Sequence, residues 1–136
     1  IVAVQELLNQ NGREEKLRFI GNALSRKLTV REDLGIAYIL VDRKDAYRYN
    51  LQNGDTEGLV NYPLSIAKIK VAILIKQEAK MIKLSFRSKK EISVEEICRK
   101  HFEGGGHRNA SGGKSYLTVD ETIDKIISIF EAERIV

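Results

Sequence analysis

The stretch that most constrains this chain runs from Phe102 to Gly113 and reads F-E-G-G-G-H-R-N-A-S-G-G. Gly104, Gly105 and Gly106 contribute no side-chain packing, and glycine costs about 0.5–1 kcal/mol relative to alanine inside a helix or strand. Another group must therefore come close to the backbone at these positions. Residues without a Cβ atom can adopt positive φ angles and turn their N–H groups toward a single anion. The stretch predicts a loop that binds a phosphate group.

His107 and Arg108 follow the glycines directly and add a hydrogen-bonding and a cationic side chain. If a short helix begins near Gly106, the partial positive charge at its N-terminus favours the same anion. Two standard phosphate motifs are excluded, because Arg108 stands where a P-loop needs glycine and Asn109 where a dinucleotide fingerprint needs it. A glycine-rich surface loop with a solvated histidine is the alternative, and the residues alone leave both interpretations open.

A β-hairpin is the clearest secondary structure in the sequence. Residues 69–76 and 82–87 each alternate with a period of two, and the polar residues 77–79 separate them. The alternation places Arg87 on the side away from the apolar residues, at the end of its strand. A guanidinium there offers a planar set of donors suited to a phosphate, although a basic strand end is more often only solvated.

Apolar spacing predicts the other elements, which are a short helix before residue 9, an amphipathic helix in 13–27, a buried strand in 35–41, helices in 43–50 and 56–62, a helix after 93, a strand in 114–117 and a final helix after 118. Capping boxes are predicted at Ser93 with Glu96 and at Thr118 with Glu121. This order is typical of an α/β fold in which a single mixed β-sheet is covered by helices.

Several side chains receive a structural interpretation. Asp55 or Thr56 is expected to cap the helix that Pro63 stops, and Asp45 is expected to face water. Cys98 occupies a small apolar position and is expected in the core, not as a nucleophile. Packing roles are also expected for Leu17, Ile20, Leu24, Tyr47, Tyr49 and Tyr62.

Composition adds weaker limits. A net charge of +4 and a pI near 9.2 favour an anionic partner without proving one. The lone Cys98 excludes an internal disulfide, and the absence of a signal peptide or membrane-spanning apolar run predicts a cytoplasmic protein. The only methionine is Met81, and Ile1 opens within an apolar pattern, so we expect the C-terminal part of a longer protein. The spacing of His101 and His107 argues against a zinc site.

Three segments together carry a resemblance to a known family. The glycine-rich string resembles the G-G-G-H-x-x-A-A-G signature of the DHH-associated domain, the C-terminal half of DHH-family phosphoesterases, with Ser111 in place of the second alanine. Residues Ser85 to Ser88, S-F-R-S, resemble the family's S-L-R-S. Residues Thr56 to Asn61 resemble its short helix before the central hairpin.

The resemblance implies a division of the chain and a set of binding residues. Residues 1–30 would form a helical connector to an N-terminal DHH domain, and residues 31–136 the substrate-binding domain. The implied phosphate binders are Arg87, Ser88, Gly104, Gly105, Gly106 and His107, with Glu57, Asn61 and Arg108 as secondary candidates. The family's DHH domain binds two divalent cations, usually manganese, and a metal-activated water attacks phosphorus. No D-H-H triplet is present here, so we expect the metal site outside this chain and no activity from the chain alone.

The function implied is the substrate-binding half of a phosphodiesterase that hydrolyses short oligoribonucleotides and adenosine 3′,5′-bisphosphate. Its partners would be a short RNA or nucleotide and the DHH domain of the same chain, with a homodimer left open. Alternatives within the family are a cyclic-dinucleotide phosphodiesterase, a RecJ-like exonuclease and a pyrophosphatase. An alternative of another class is an RNA-binding module like the C-terminal domain of alanyl-tRNA synthetases. The family's phosphate contacts carry no base preference.

Overall fold

The computed structural model of the protein describes residues 13–136, so the helix expected before residue 9 lies outside the described residues. Within this range the chain forms one six-stranded sheet with helices on both faces. The helices are α1 (Glu14–Asn22), which continues as a π-helical turn (Ala23–Lys27), α2 (Arg43–Arg48), α3 (Asn61–Leu64), α4 (Glu95–His101) and α5 (Val119–Glu133). The strands are β1 (Leu28–Arg31), β2 (Ile36–Val41), β3 (Val71–Gln77), β4 (Ile82–Ser88), β5 (Gly105–His107) and β6 (Ala110–Ser115).

The sheet is mixed, as the sequence predicts. Its strand order is β1-β2-β3-β4-β6-β5, and β2 runs parallel to β3 while every other neighbouring pair is antiparallel. The parallel pair needs a long crossover, which residues 42–70 provide with α2 and α3. The predicted hairpin is confirmed as β3 and β4.

The two faces of the sheet are covered to different extents. One, which we call the covered face, packs against α4 and α5 around the fully buried side chains of Ile73, Phe86 and Phe102. The other carries Ile39, Leu74 and Arg87. Over β2 and β3 it is covered by a second cluster that includes Phe19 of α1 and Leu59, but over β4, β6 and β5 it carries partly exposed residues. We call it the half-open face.

The N-terminal part departs from the sequence predictions in two ways. Leu17 is 68% exposed, whereas Phe19 and Ala23, one turn apart, are the buried residues of this helical segment. Ile20 and Leu24 pack against the second cluster as predicted, so the prediction is wrong only for Leu17, and Phe19, whose ring centroid lies 5.8 Å from that of Tyr49, was missed. The proposed boundary between residues 30 and 31 also falls inside β1, whose pairing with β2 makes it part of the sheet.

The expected roles on α2 are wrong in part. Tyr49 is buried, but Tyr47 is 91% exposed and so does not have the expected packing role. Asp45 does not face water, because its carboxylate lies 3.3 Å from Lys27 Nζ and is drawn into the fold. Asp42 caps the helix by accepting a hydrogen bond from the Asp45 N–H.

The expected helix in residues 56–62 is replaced by successive turns followed by the short α3. Asp55 does not cap a helix that follows it, since its carboxylate accepts hydrogen bonds from the Gln52 N–H and the Arg13 guanidinium. Pro63 lies inside the first turn of α3, where its missing N–H has no intrahelical partner to lose. Tyr62 is 53% exposed rather than packed.

The two predicted capping boxes have different outcomes. At α5 both hydrogen bonds between Thr118 and Glu121 are formed, as predicted. The box at Ser93 is absent, because the Val94 N–H donates to the Arg108 carbonyl and the helix begins one residue later. No helix in residues 13–136 has both the length and the apolar character needed to cross a membrane.

Candidate functional site

The glycine-rich stretch forms a strand, not a loop that opens a helix. Gly105–His107 is β5, an edge strand that a tight turn at Arg108 and Asn109 connects to β6. No helix begins near Gly106, and the next one along the chain is α5 at Val119. The expected strand at residues 114–117 is correspondingly displaced and ends at Ser115. The local pattern concealed β5 because glycine carries no side chain that could show a period of two.

The three glycines are required for different reasons. A Cβ atom on Gly104 would overlap the Gly112 carbonyl oxygen and lie 2.6 Å from the Gly113 Cα. Gly106 has a φ angle of +145°, and its Cβ would lie 2.8 Å from the Ala110 carbonyl oxygen. At both positions the closely approaching group is β6 of the same chain. A Cβ on Gly105, in contrast, would meet no heavy atom of the described residues within 4 Å.

Strand pairing brings Arg87 and His107 to the same face. Arg87 pairs with Ala110, and Ala110 pairs with His107, so the three form one row across β4, β6 and β5. Directly paired residues project to the same side of a sheet, and neighbouring strands lie about 4.8 Å apart. The two Cα atoms are therefore separated by about 10 Å, with only the small Ala110 between them.

The neighbouring row makes a nearly flat floor. Ser85, Gly112 and Gly105 pair across the same strands, two residues along from the row of Arg87. Two of these residues have no side chain, so a ligand could approach the backbone between the cationic Arg87 and the imidazole of His107. The half-open face is thus shaped by small residues at its centre and polar side chains at its rim.

Arg87 lies at one end of a hollow of about 390 Å³. One of its guanidinium nitrogens, Nη1, donates to the Phe86 carbonyl at 3.0 Å, which leaves the other donors free of hydrogen bonds to the described residues. Arg87 makes no ion pair within residues 13–136. The hollow is also lined by Ser85, Lys83 and Lys76, and by the turns that contain Glu57.

Ser88 is not brought to this site. It follows Arg87 on the same strand, so its side chain projects to the covered face, where it is 6% exposed. Its hydroxyl donates to the Ile92 carbonyl at 2.6 Å and accepts from the Asn109 amide at 3.0 Å. The structure thus places the Ser88 side chain in a structural network and away from Arg87.

Arg108 is engaged elsewhere as well. Its guanidinium donates to the carbonyl oxygens of Lys90 and Glu91, at 3.4 and 3.2 Å. These contacts hold the turn between β5 and β6 against the loop that leads from β4 to α4. Glu57 lines the hollow of Arg87 and also a neighbouring hollow of about 350 Å³, and Asn61 lines only the latter, beside Tyr62.

Asn109 is a residue whose role the sequence did not reveal. Its side-chain nitrogen lies 2.8–3.0 Å from the Lys89 carbonyl, the Ile92 carbonyl and the Ser88 hydroxyl. The Ser88 N–H in turn donates to the Asn109 carbonyl. The turn that follows His107 is therefore tied to the strand end that carries Arg87. This role could have been predicted from asparagine at the second position of a tight turn, since asparagine side chains commonly hydrogen-bond to nearby backbone.

Ser111 gives a reason for the departure from the family signature. Its buried hydroxyl donates to the His107 carbonyl at 2.6 Å, which fixes β5 against β6 at the point where His107 projects. Cys98 is confirmed as a core residue, and burial raises the pKa of its thiol to about 12.

The described residues do not fit a metal centre. In residues 13–136 there is no group of three or more His, Cys, Asp or Glu side chains that could hold an ion. The arrangement of Arg87, His107 and the open backbone can position an anion, but it brings together no nucleophile and general base.

Comparison with known proteins gives a family match and similar proteins. Residues 33–133 match the DHHA1 domain. The chain is 34% identical over 83 residues to a probable bifunctional oligoribonuclease and PAP phosphatase, NrnA, of Streptococcus mutans, covering 60% of this chain and 26% of that protein. This chain therefore spans about a quarter of the length of that relative.

Two solved structures are similar. An exopolyphosphatase-related protein from Bacteroides fragilis superposes with a TM-score of 0.87 at 32% identity, over 92% of this chain and 36% of that one. A pGpG-specific phosphodiesterase, PggH, from Vibrio cholerae has a TM-score of 0.57 at 12% identity, over 88% of this chain and 40% of that one. The second likeness is one of fold alone.

Proposed function

This chain belongs to the DHHA1 domain family, and on that premise we propose that the half-open face of its sheet binds the phosphate end of a nucleotide or short oligoribonucleotide. The chain would then be the substrate-binding part of a phosphoesterase. Its catalytic DHH domain, with two divalent cations such as manganese, would lie outside these residues. On this proposal the chain alone hydrolyses nothing.

The observation that carries the proposal is the row of Arg87, Ala110 and His107. A guanidinium offers a planar pair of donors that matches two phosphate oxygens, and an imidazole N–H offers a further donor. Because Ala110 is small and Gly105 has no side chain, the anion can lie against the sheet between these two donors. Gly104 and Gly106 serve this site indirectly, since they allow the close approach of β5 to β6.

Such a site would contribute to the reaction by holding the substrate in place. Donors that are fixed before the substrate arrives stabilise developing charge without reorganisation, and loss of one costs on the order of 10²–10³ in rate. The backbone that carries Arg87 and His107 is fixed before the substrate arrives, because Asn109 bonds to the end of β4 and Ser111 bonds to the His107 carbonyl. We expect both to bind the phosphate without transferring a proton.

We propose short oligoribonucleotides and adenosine 3′,5′-bisphosphate as the substrates. The support is the 34% identity to the Streptococcus mutans protein, which is named for both activities. A cyclic dinucleotide is a less supported ligand, since the likeness to the pGpG-specific enzyme is limited to the fold.

The test compares the affinity of AMP for the 136-residue chain and for three variants. Arg87→Gln and His107→Ala should each weaken AMP binding at least tenfold while the melting temperature stays unchanged. Arg99→Gln is the matched control, because Arg99 is an exposed arginine of α4, on the covered face. This variant should bind AMP with the affinity of the unaltered chain. Unaltered binding in both site variants would refute the proposal, and binding of a tRNA acceptor stem without AMP would favour an RNA-binding module.

A further inference from the structure

A row of lysines crosses the half-open face beside the site already described. Lys76 of β3 pairs with Lys83 of β4, and Lys83 pairs with Lys114 of β6. All three project to the same side as Arg87, because Lys83 lies four residues before Arg87 on β4.

This row carries charge that the fold does not balance. Like charges that pair directly across strands destabilise a sheet. Lys76 is compensated by Glu78, whose carboxylate lies 3.7 Å from its ammonium group. Lys83 and Lys114 take part in no ion pair with any residue in 13–136. An anionic ligand would remove this repulsion.

Lys76 and Lys83 line the same hollow as Arg87, and Lys114 lies next to Lys83 on β6, outside that hollow. Lys83, Ser85 and Arg87 line it in succession along β4. At about 3.4 Å per residue, the backbone positions of Lys83 and Arg87 lie about 14 Å apart. The first and third phosphates of a stacked strand lie about 7 Å apart at about 3.4 Å per nucleotide, and the long side chains of Lys83 and Arg87 can lean toward each other across the remaining distance. A trinucleotide is therefore the shortest strand considered for contact with both side chains.

An exposed aromatic ring favours an oligonucleotide over a simple polyanion. Tyr116 follows β6, is 65% exposed, and has the Lys114 ammonium 5.9 Å from its ring centroid. Exposed aromatic rings beside basic side chains are platforms on which bases of single strands stack. Inorganic polyphosphate could use the lysines but would gain nothing from this ring.

We propose that Lys83 and Lys114 form a second phosphate subsite for an oligoribonucleotide, and that Tyr116 stacks against one of its bases. This inference rests on the proposed function, since Arg87 and His107 hold the first phosphate. The two subsites would let the chain distinguish an oligonucleotide from a mononucleotide. Lys76 is left out because Glu78 already neutralises it.

The test measures how AMP and the trinucleotide pApApA bind to the 136-residue chain as a function of salt concentration. The double variant Lys83→Gln/Lys114→Gln should weaken trinucleotide binding roughly three- to tenfold, as expected for the loss of two exposed ion pairs. The salt dependence of log K should become less steep by about 0.7 for each phosphate contact removed. AMP affinity should fall by much less than trinucleotide affinity, because the single phosphate of AMP is held by Arg87 and His107. Tyr116→Leu should weaken binding of the trinucleotide but leave binding of inorganic tripolyphosphate unaltered.

The control carries the same change of net charge. Lys68→Gln/Lys100→Gln removes two exposed lysines that lie outside the half-open face, and should leave trinucleotide binding as it was. An unchanged affinity and salt slope in the double variant at Lys83 and Lys114 would overturn the second subsite, as would an equal loss of AMP binding. The phosphate site at Arg87 and His107 is tested separately by Arg87→Gln, which should weaken binding of both AMP and the trinucleotide. If the unaltered chain bound neither AMP nor the trinucleotide, both proposals would fail.

Discussion

The three successive glycines should respond in opposite ways to replacement by alanine. Gly104→Ala forces a Cβ atom into the backbone of β6, where neither the Gly112 carbonyl nor the Gly113 Cα can move without disturbing strand pairing. Overpacking of this kind costs about 1–3 kcal/mol. Gly106→Ala combines a similar approach with a φ angle of +145°, a conformation that costs non-glycine residues about 1–3 kcal/mol.

Gly105→Ala should leave the fold intact and impair binding. Its Cβ would meet no heavy atom of residues 13–136 within 4 Å, and alanine in place of glycine can stabilise a strand by up to about 1 kcal/mol. The added methyl group would project from the half-open face, beside the row of Arg87 and His107. We expect AMP affinity to fall about tenfold, which corresponds to about 1.4 kcal/mol.

Thermal and urea unfolding of the three variants, with AMP titration of each, measure these effects. For a chain of this length a loss of 1 kcal/mol lowers the melting temperature by about 4 °C, so Gly104→Ala and Gly106→Ala should each melt at least that much lower. Gly21→Ala in α1 is the control, because its Cβ also meets open space and is far from the sheet's open half. If Gly104→Ala had the same melting temperature as the unaltered protein, the close approach of β5 to β6 would be refuted. Full AMP affinity in Gly105→Ala would refute the open floor.

Three further predictions concern the rim of the site and the N-terminal part of the fold. Lys83→Gln should raise the free energy of unfolding in urea by up to about 1 kcal/mol at low salt, because it removes repulsion from the lysines paired with it, and the gain should shrink at high salt. Asn109→Ala should lower that free energy by about 1–3 kcal/mol and also weaken AMP binding, since it leaves backbone carbonyls without their donor. Burial alone would raise the pKa of Asp55, but the Gln52 N–H and the Arg13 guanidinium hold it below its ordinary 3.8. Its stabilising effect is therefore present above that value and lost as the pH falls through the lower folded-state pKa, so melting temperatures below pH 4 should fall less steeply for Asp55→Asn.

The period of two in β3 and β4 was sufficient to predict the hairpin and the direction of Arg87. The same rule directs the Ser88 side chain to the covered face, since adjacent residues of a strand point to opposite faces. Arg87 and Ser88 could not both reach one ligand through their side chains. Here the alternation in the sequence was the better guide to side-chain direction than the matching motif.

The glycine-rich stretch marks the limit of local reasoning. The sequence correctly required a close approach to the backbone at Gly104 and Gly106, but it could not say whether a ligand or the chain itself approached. The answer depends on the pairing of β5 with β6, which no side-chain pattern reveals in a strand made mostly of glycine. The lysine row was hidden for a related reason, because Lys76, Lys83 and Lys114 become neighbours only through the register of three strands.

The asymmetry of the sheet connects stability to binding. The covered face carries large apolar side chains across β2, β3 and β4, which pack against α4 and α5. The open half of the other face presents Arg87, Lys83, His107 and small residues, which offer little apolar area to a covering helix. Apolar residues there would improve folding, whereas the residues present add charge repulsion. A sheet that bears this cost on one half of one face is best explained if an anionic ligand covers that half.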